Sequence, residues 1–310
     1  MQSLATRAFT LGLSAACVSA EGQQRPIESA QTISVQTDLV LLPVTVVDRK
    51  GALVPGLIER NFTVYDNGAP RPIQFFTSED TPVTVGLVID SSSSMRAVRS
   101  DVTAAGTAFA ASSHPLDELF TVNFNDVVWP GLAPSVASAE TIERLNHELA
   151  LAPARGMTAL YDALDDALDR LKAGTRDRKV LIVVSDGGDN ASSHTLAGVI
   201  AKARESGAVI YSVALIDPDD PVARPAVLKQ LARVTGGEMF RPDRVGDIAK
   251  VFTHIADAIR SGYTLGVVPP EGVHDSFRTI RVAVDAGDRR RLVARTRAGY
   301  YTGQVQPRPR

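Results

Sequence analysis

The stretch Val83–Ser94 reads VTVGLVIDSSSS and places a polar cluster directly after an apolar run. The run is rich in β-branched residues, which is typical of a parallel strand that is buried on both faces. Asp90, Ser92 and Ser94 follow it at alternate positions and supply one carboxylate and two hydroxyls, the D-x-S-x-S arrangement of a divalent-metal site. Because open α/β sheets bind ligands beyond the carboxyl ends of their strands, we expect these side chains to lie at a binding site.

Two distant segments supply further polar groups, namely residues 156–162, GMTALYD, and residues 180–187, VLIVVSDG. Each fragment alone has an ordinary interpretation. Consecutive serines often form a linker, Ser94 is a possible cap for a helix that begins near Met95, and Thr158 is a possible cap for another helix. Ser-Asp-Gly is a common turn after a strand. The ordered set of three segments is much more specific than any one of them.

Together these segments resemble the von Willebrand factor type A domain. The resemblance implies a metal-ion-dependent adhesion site, whose pattern maps with no position missing onto Asp90, Ser92, Ser94, Thr158 and Asp186. The implied ion is Mg²⁺, or else Mn²⁺ or Ca²⁺, because these cations prefer oxygen ligands. The three hydroxyls are expected to bind the ion directly, and the two carboxylates to hold its water ligands. One coordination position is implied to stay open for a carboxylate from a partner.

We therefore expect a metal-ion-dependent, adhesion-type binding module for a protein or extracellular-matrix ligand that presents an acidic residue. The alternative is a structural or assembly component of the cell envelope, in which the metal only stabilises loops. No nucleophile elbow, zinc-protease motif or phosphate-binding loop occurs, and the five histidines are scattered singly, so we do not expect an enzyme. Asp189, the nearest additional carboxylate, is interpreted as a loop or helix-capping group.

The charge balance also limits the partners. The 310 residues include 33 basic and 35 acidic ones, which gives no general electrostatic argument for binding nucleic acid. No run outside the amino terminus approaches the roughly 20 apolar residues that a membrane span requires. We therefore expect neither a nucleic-acid partner nor a membrane span.

Strand and helix patterns alternate over residues 82–262, which predicts an α/β domain with a doubly wound, mostly parallel sheet. The first and third strands of this region are expected to be neighbours at the metal site, as the family's fold implies. Strands are predicted at residues 83–90, 119–124, 180–185, 208–215 and 238–240, and helices at residues 95–111, 139–150, 159–173, 196–206, 226–234 and 245–259.

The flanking regions, residues 35–80 and 263–303, have the patterns of antiparallel strands. The simplest architecture inserts the α/β domain into a small β module built from both flanks, although two separate modules are also compatible. This layout is similar to an exported bacterial subgroup of the family that is abundant in acidobacteria. The signs are the turn at residues 48–51, the FTVYDNG segment at residues 62–68 and the closing RAGYY at residues 297–301.

The first 20 residues have the features of a signal peptide: Arg7, an apolar stretch at residues 8–16 and Val18-Ser19-Ala20 before the expected cleavage point. We therefore expect an exported protein, periplasmic or extracellular. Cys17, the only cysteine, leaves lipoprotein anchoring as an alternative. Residues 21–34 are expected to form a linker and residues 304–310 a tail.

Overall fold

The computed structural model describes residues 39–78, 80–216, 221–270, 272, 276–287 and 291–302. Its first strands are β1 (Val40–Val47), β2 (Phe62–Asp66), β3 (Ala69–Arg71) and β4 (Ile73–Thr77). A tight turn joins β2 to β3, with Asn67 at φ 48° and Gly68 at φ 82°. Two successive positive φ values are the requirement of a type I′ hairpin turn, which explains the Asn-Gly pair.

A mostly parallel sheet follows. Its central strand β5 (Val83–Asp90) lies between β6 (Glu118–Phe124) and β9 (Arg178–Ser185) and is parallel to both. Two short antiparallel strands, β7 (Val128–Pro130) and β8 (Ser135–Val136), pair with β6. Beyond β9 lie two further parallel strands, β10 (Val209–Ala214) and β11 (Met239–Phe240).

Six helices cover this sheet on both faces, so its four long strands β5, β6, β9 and β10 are largely buried. The first, second and sixth helices pack on one face with Leu87 and Ile89, and the other three pack on the opposite face with Val88. This alternation of neighbouring residues is the period of two that a strand dictates. The helices are α1 (Arg99–Ala111), α2 (Ala139–Leu151), α3 (Leu160–Ala173), α4 (Leu196–Ser206), α5 (Pro225–Thr235) and α6 (Ile248–Arg260).

Strands from both flanks of the α/β region pair with each other. The carboxyl-terminal strands are β12 (Tyr263–Val267), β13 (Phe277–Val284), β14 (Val293–Arg295) and β15 (Gly299–Tyr301). They complete two four-stranded sheets, ordered β14-β1-β12-β4 and β15-β13-β2-β3. The two sheets share one apolar core, and the hydroxyl of Tyr263 donates to the Val54 carbonyl across it at 2.7 Å. The β module is therefore built from both flanks of the α/β region.

The predicted fold class is confirmed, and β5 and β9 are neighbours as expected. Several boundaries differ from prediction. The helix expected from Met95 is a short 3₁₀ helix at Ser93–Ala97, and α1 begins only at Arg99. The strands β3, β7 and β8 were not predicted, because they have only two or three residues each and show no period of two.

Several predictions lie outside the described residues. These are the signal peptide at residues 1–20, the alternative role of Cys17, the linker at residues 21–34 and the tail at residues 304–310. Among the helices of the described part of the chain, none is long and apolar enough to cross a membrane.

Candidate functional site

The carboxyl ends of the two neighbouring strands β5 and β9 bring Asp90 together with Ser185 and Asp186. Asp90 is fully buried. Its Oδ1 accepts the Ser92 amide at 2.8 Å, and its Oδ2 accepts the Ser185 hydroxyl at 2.7 Å. Burial raises the pKa of the Asp90 carboxyl to about 6, although these hydrogen bonds favour the ionised form. Without a cation, the charged form of this carboxylate is therefore destabilised.

A chain of hydrogen bonds connects the serine segment to the end of β9. The hydroxyl of Ser94 donates to Asp186 Oδ2 at 2.8 Å and lies 3.1 Å from the hydroxyl of Ser92. The other oxygen of Asp186 accepts the Gly188 amide at 2.8 Å. Ser94 therefore does not cap a helix, the alternative that its sequence context left open, since its side chain bonds to the other loop.

Thr158 lies in a loop that contacts both of these segments. The Gly156 carbonyl accepts the Ser93 amide at 3.3 Å. The Thr158 amide donates to Asn190 Oδ1 at 2.8 Å, and the Thr158 carbonyl accepts the Asn190 amide at 2.9 Å. Within the described residues, the Thr158 hydroxyl has no hydrogen-bond partner. The backbone of Thr158 is thus fixed between the other two loops, while its hydroxyl is available to a ligand.

Gly156 gives this loop its shape. Its φ is +84°, and a Cβ on this residue would lie 2.1 Å from Oδ1 of Asp126. Both the left-handed backbone and the close approach require glycine here. The position of Thr158, two residues later, therefore depends on the absence of a side chain at residue 156.

Sequence reasoning missed two groups of the site, Ser185 and Asn190. Ser185 precedes Asp186, and its hydroxyl also accepts the Gly187 amide at 3.0 Å. Asn190 binds both the amide and the carbonyl of Thr158, through its side chain and its own amide. No pattern in the sequence identifies Asn190, because its role depends on how the loop after β9 folds back.

Two acidic residues support the loop after β9. Oδ1 of Asp189 accepts the Tyr161 amide at 3.2 Å, which makes it a cap for α3, in agreement with one of its two expected roles. Asp162 accepts the amides of Ser193 and His194 at 3.0 and 2.8 Å. Burial raises the pKa of Asp162, but hydrogen bonds from these residues outweigh burial and lower it overall. Both carboxylates therefore hold loops rather than face a ligand.

The donor set fits a hard divalent cation. The five residues predicted from sequence provide only oxygen atoms, from two carboxylates and three hydroxyls, which are the ligands that Mg²⁺ prefers. The proximity of Asp186 contributes to the raised pKa of Asp90, so a positive charge between them would relieve this repulsion. No group of three or more His, Cys, Asp or Glu side chains in the described residues forms a metal site. Any ion bound here would therefore depend on the hydroxyls.

The fold and the loop cluster define a doubly wound α/β domain with a polar site at the carboxyl ends of its strands. The family model of the von Willebrand factor type A domain matches residues 84–239, half of the chain. The chain belongs to this family. Its place in the exported bacterial subgroup stays a prediction. No curated protein has a matching sequence.

Solved structures with low sequence identity share the fold. A von Willebrand factor type A protein from Catenulispora acidiphila has a TM-score of 0.52 at 14% identity, over 88% of this chain and 76% of that chain. Proximal thread matrix protein 1 from the mussel byssus has a TM-score of 0.51 at 15% identity, over 68% and 51%. The pilus adhesin SpaC from Lactobacillus rhamnosus GG has a TM-score of 0.50 at 11% identity, over 82% and 50%.

Proposed function

We propose that this chain is a metal-ion-dependent protein-binding module of an exported protein, periplasmic or extracellular, and that it is not an enzyme. The observation that carries the proposal is the 2.8 Å hydrogen bond between Ser94 and Asp186. It joins two loops that are far apart in sequence and gathers their oxygens beside Asp90. Two of the structurally similar proteins, a pilus adhesin and a byssus matrix protein, agree with an adhesive or structural role.

In this proposal the hydroxyls of Ser92, Ser94 and Thr158 bind the divalent cation, Mg²⁺ or else Mn²⁺ or Ca²⁺. Asp90 and Asp186 hold water ligands of the ion and balance its charge. Because neither carboxylate would coordinate the ion directly, the ion would keep affinity for a further anionic ligand. An acidic side chain of a protein or matrix partner supplies that ligand. The bound ion contributes a Lewis acid at the protein surface.

A purely structural role of the metal is the alternative. Hydrogen bonds between protein groups already connect the three loops, through Ser94 and Asp186 and through Asn190 and Thr158. Because the loops do not depend on an ion for these connections, the geometry supports ligand binding over loop stabilisation.

A display library of random peptides tests the proposal. Peptides are captured on the folded protein in Mg²⁺ and eluted with a chelator. We expect the eluted peptides to share an aspartate or glutamate, and we expect binding to be lost when that residue becomes asparagine or glutamine. Peptides that stay bound in chelator, or that bind without an acidic residue, would contradict the proposal.

Two variants complete this experiment. Asp186→Ala removes a carboxylate of the site and is expected to abolish capture of the selected peptides. Asp166→Ala is the matched control, because Asp166 is a half-buried residue of α3 whose carboxylate, within the described residues, pairs only with Arg170. Equal capture by both variants would contradict a role of the site.

A further inference from the structure

A cavity lies at the opposite end of the central sheet from Asp90. It has a volume of about 660 Å³ and lies where β5 and β9 begin, between the α/β region and the β14-β1-β12-β4 sheet. This volume is within the range of small-molecule sites, roughly 300–1,000 Å³. None of the five residues of the proposed metal site lines this cavity.

One wall of the cavity is the outer face of the β14-β1-β12-β4 sheet. Leu41, Gly266 and Phe75 lie opposite one another on adjacent strands and so share this face. Leu41 and Phe75 line the cavity and are only half-buried. A Cβ on Gly266 would lie 2.8 Å from the Phe75 Cβ, so glycine leaves the wall recessed between two apolar side chains. This wall is suited to an apolar or aromatic group.

The lining of the cavity also includes three cations, Arg178, Lys179 and Arg297. Their hydrogen bonds go to neutral acceptors. The Arg178 guanidinium donates to the Ile259 carbonyl at 2.7 Å, and the Lys179 ammonium donates to the Gly174 carbonyl at 2.5 Å.

Arg297 is the least satisfied of these cations. Its Nε donates to the Gly299 carbonyl at 2.9 Å, and among the described residues neither of its terminal nitrogens has a hydrogen-bond partner. No carboxylate in the described part of the chain lies within ion-pair distance of Arg178, Lys179 or Arg297. The cavity therefore has three positive charges without a directly paired negative charge.

Other charged residues around the cavity do not form ion pairs with these three cations. Asp177 and Glu205 also line the cavity, but both are exposed to solvent. Arg176 has its own ion pair, with Glu118 at 3.8 Å. The carboxylates that act on Arg178 from a distance, Asp80 and Asp117, are paired with Arg260. A positive field therefore remains inside the cavity.

The pKa values of these three cations agree with their lack of a directly paired carboxylate. Burial lowers the pKa of Arg178 and of Lys179, and it lowers the pKa of Arg297 to about 10. Each group has thus lost hydration. Glu118 and Asp177 act on Lys179, but only from beyond ion-pair distance, and the Glu118 carboxylate is paired with Arg176. An anion that enters the cavity would restore this lost interaction.

We propose that this cavity binds a small organic anion with an apolar body. Its carboxylate, sulfonate or phosphate group pairs with Arg297 and Lys179, and its apolar part packs on Leu41 and Phe75. The cavity volume of about 660 Å³ is large enough for such a molecule. This site acts independently of the metal site.

Fluorescence titration with anilinonaphthalene sulfonate tests the proposal, since this probe has an aromatic body and one negative charge. The full chain is titrated in chelator, so the metal site does not contribute. We expect saturable binding that Arg297→Gln weakens about tenfold, the effect of losing one charge-assisted hydrogen bond of about 1.5 kcal/mol. Arg241→Gln, at an exposed arginine outside the cavity, is the matched control and is expected to bind as the wild type does.

A neutral probe and a second variant complete the test. The uncharged analogue phenylnaphthylamine is expected to bind the wild type and Arg297→Gln equally. Leu41→Glu places a carboxylate among the cations and is expected to exclude the anionic probe while the protein keeps its cooperative urea transition. If Arg297→Gln does not fold, Lys179→Gln takes its place. Unchanged binding of the anionic probe to folded cavity variants, or equal weakening by Arg241→Gln, would overturn the proposal.

Discussion

Asp90 has two properties that oppose each other in the metal-free protein. Its carboxylate is fully buried, yet both of its oxygens accept hydrogen bonds. Burial dominates and raises the pKa of this group to about 6. A raised pKa means that the folded state binds the proton more tightly than the unfolded chain does. The resulting stabilisation is fully present below about pH 4 and is lost as the pH rises through about 6.

Asp90→Asn is therefore expected to stabilise the metal-free protein at neutral pH. The substitution removes the buried charge but loses one of the two accepted hydrogen bonds, so we expect a net gain of about 1 to 2 kcal/mol in the free energy of unfolding. Urea denaturation in chelator at pH 7 and pH 4 measures this, and the gain should disappear at pH 4. A variant that is less stable than the wild type at pH 7 would contradict the buried-charge account.

Gly156→Ala tests the loop that carries Thr158. The new Cβ would meet Oδ1 of Asp126, and the backbone has a φ of +84°. We expect a loss of about 1 to 3 kcal/mol in unfolding free energy and weaker metal binding. Gly56→Ala is the matched control, because Gly56 has a φ of +79° with no atom within 4 Å of a new Cβ. If both variants lose the same stability, the contact with Asp126 has no effect.

The individual residues of the site were predictable to different degrees. Asp90, Ser92 and Ser94 lie at alternate positions in a recognisable pattern, and the structure places the latter two in one hydrogen-bonded chain with Asp186. Asn190 was not predictable, since its contact with Thr158 arises from the conformation of a loop. Direct ligation of a metal by these side chains stays a prediction.

The amino-terminal turn of α3 organises the loop that follows β9. Asp162, in this turn, accepts the amides of Ser193 and His194 and the hydroxyl of Ser193. Although burial opposes it, this hydrogen bonding lowers the pKa of Asp162. Because the pKa is depressed, the stabilisation is present above the unfolded value near 3.8 and is lost as the pH falls below it.

Asp162→Ala is expected to loosen this loop without unfolding the domain. The amides of Ser193 and His194 should exchange with deuterium about fivefold to tenfold faster, which corresponds to about 1 kcal/mol of local stability. Hydrogen exchange with mass spectrometry measures this at neutral pH. Asp166→Ala, one turn later on α3, should leave the exchange unchanged. Equal exchange in wild type and Asp162→Ala would show that the loop is held by other contacts.

Helices and strands were predictable where their patterns are long. The bounds predicted for β5 and α4 agree with the structure, since β5 is an apolar run of eight residues and α4 is eleven residues long. β3 and β7 each contain a proline, at Pro70 and Pro130, which interrupts a strand pattern. Such strands form because they pair with the edge of a longer strand, β2 for β3 and β6 for β7. The pattern of a short segment alone does not show this pairing.

Across the whole molecule, the chain passes from the α/β region into the β module after α6, whose last residue is Arg260. Its guanidinium pairs with Asp117, which precedes β6, and with Asp80 at 2.9 Å, which precedes β5. Asp117 is fully buried and also accepts the Val83 amide at 2.9 Å. The ion pairs therefore link three segments near the start of the central sheet.

Arg260→Ala is expected to destabilise the protein by about 3 kcal/mol or more, because it leaves the buried Asp117 carboxylate without its counter-charge. Arg170→Ala removes a half-buried pair with Asp166 on the surface of α3 and should change stability by less than about 1 kcal/mol. Urea denaturation measures both variants. Similar effects of the two substitutions would contradict the special role of Arg260.

Calorimetric titration of Mg²⁺ and Mn²⁺ into the folded protein tests the proposed metal site most directly. We expect one ion to bind per chain in the wild type and in Asp166→Ala, and no binding in Asp186→Ala, with all three proteins showing cooperative unfolding in urea. Absence of binding by the wild type, or retained binding by folded Asp186→Ala, would contradict a metal-dependent site formed by Asp90, Ser92, Ser94, Thr158 and Asp186.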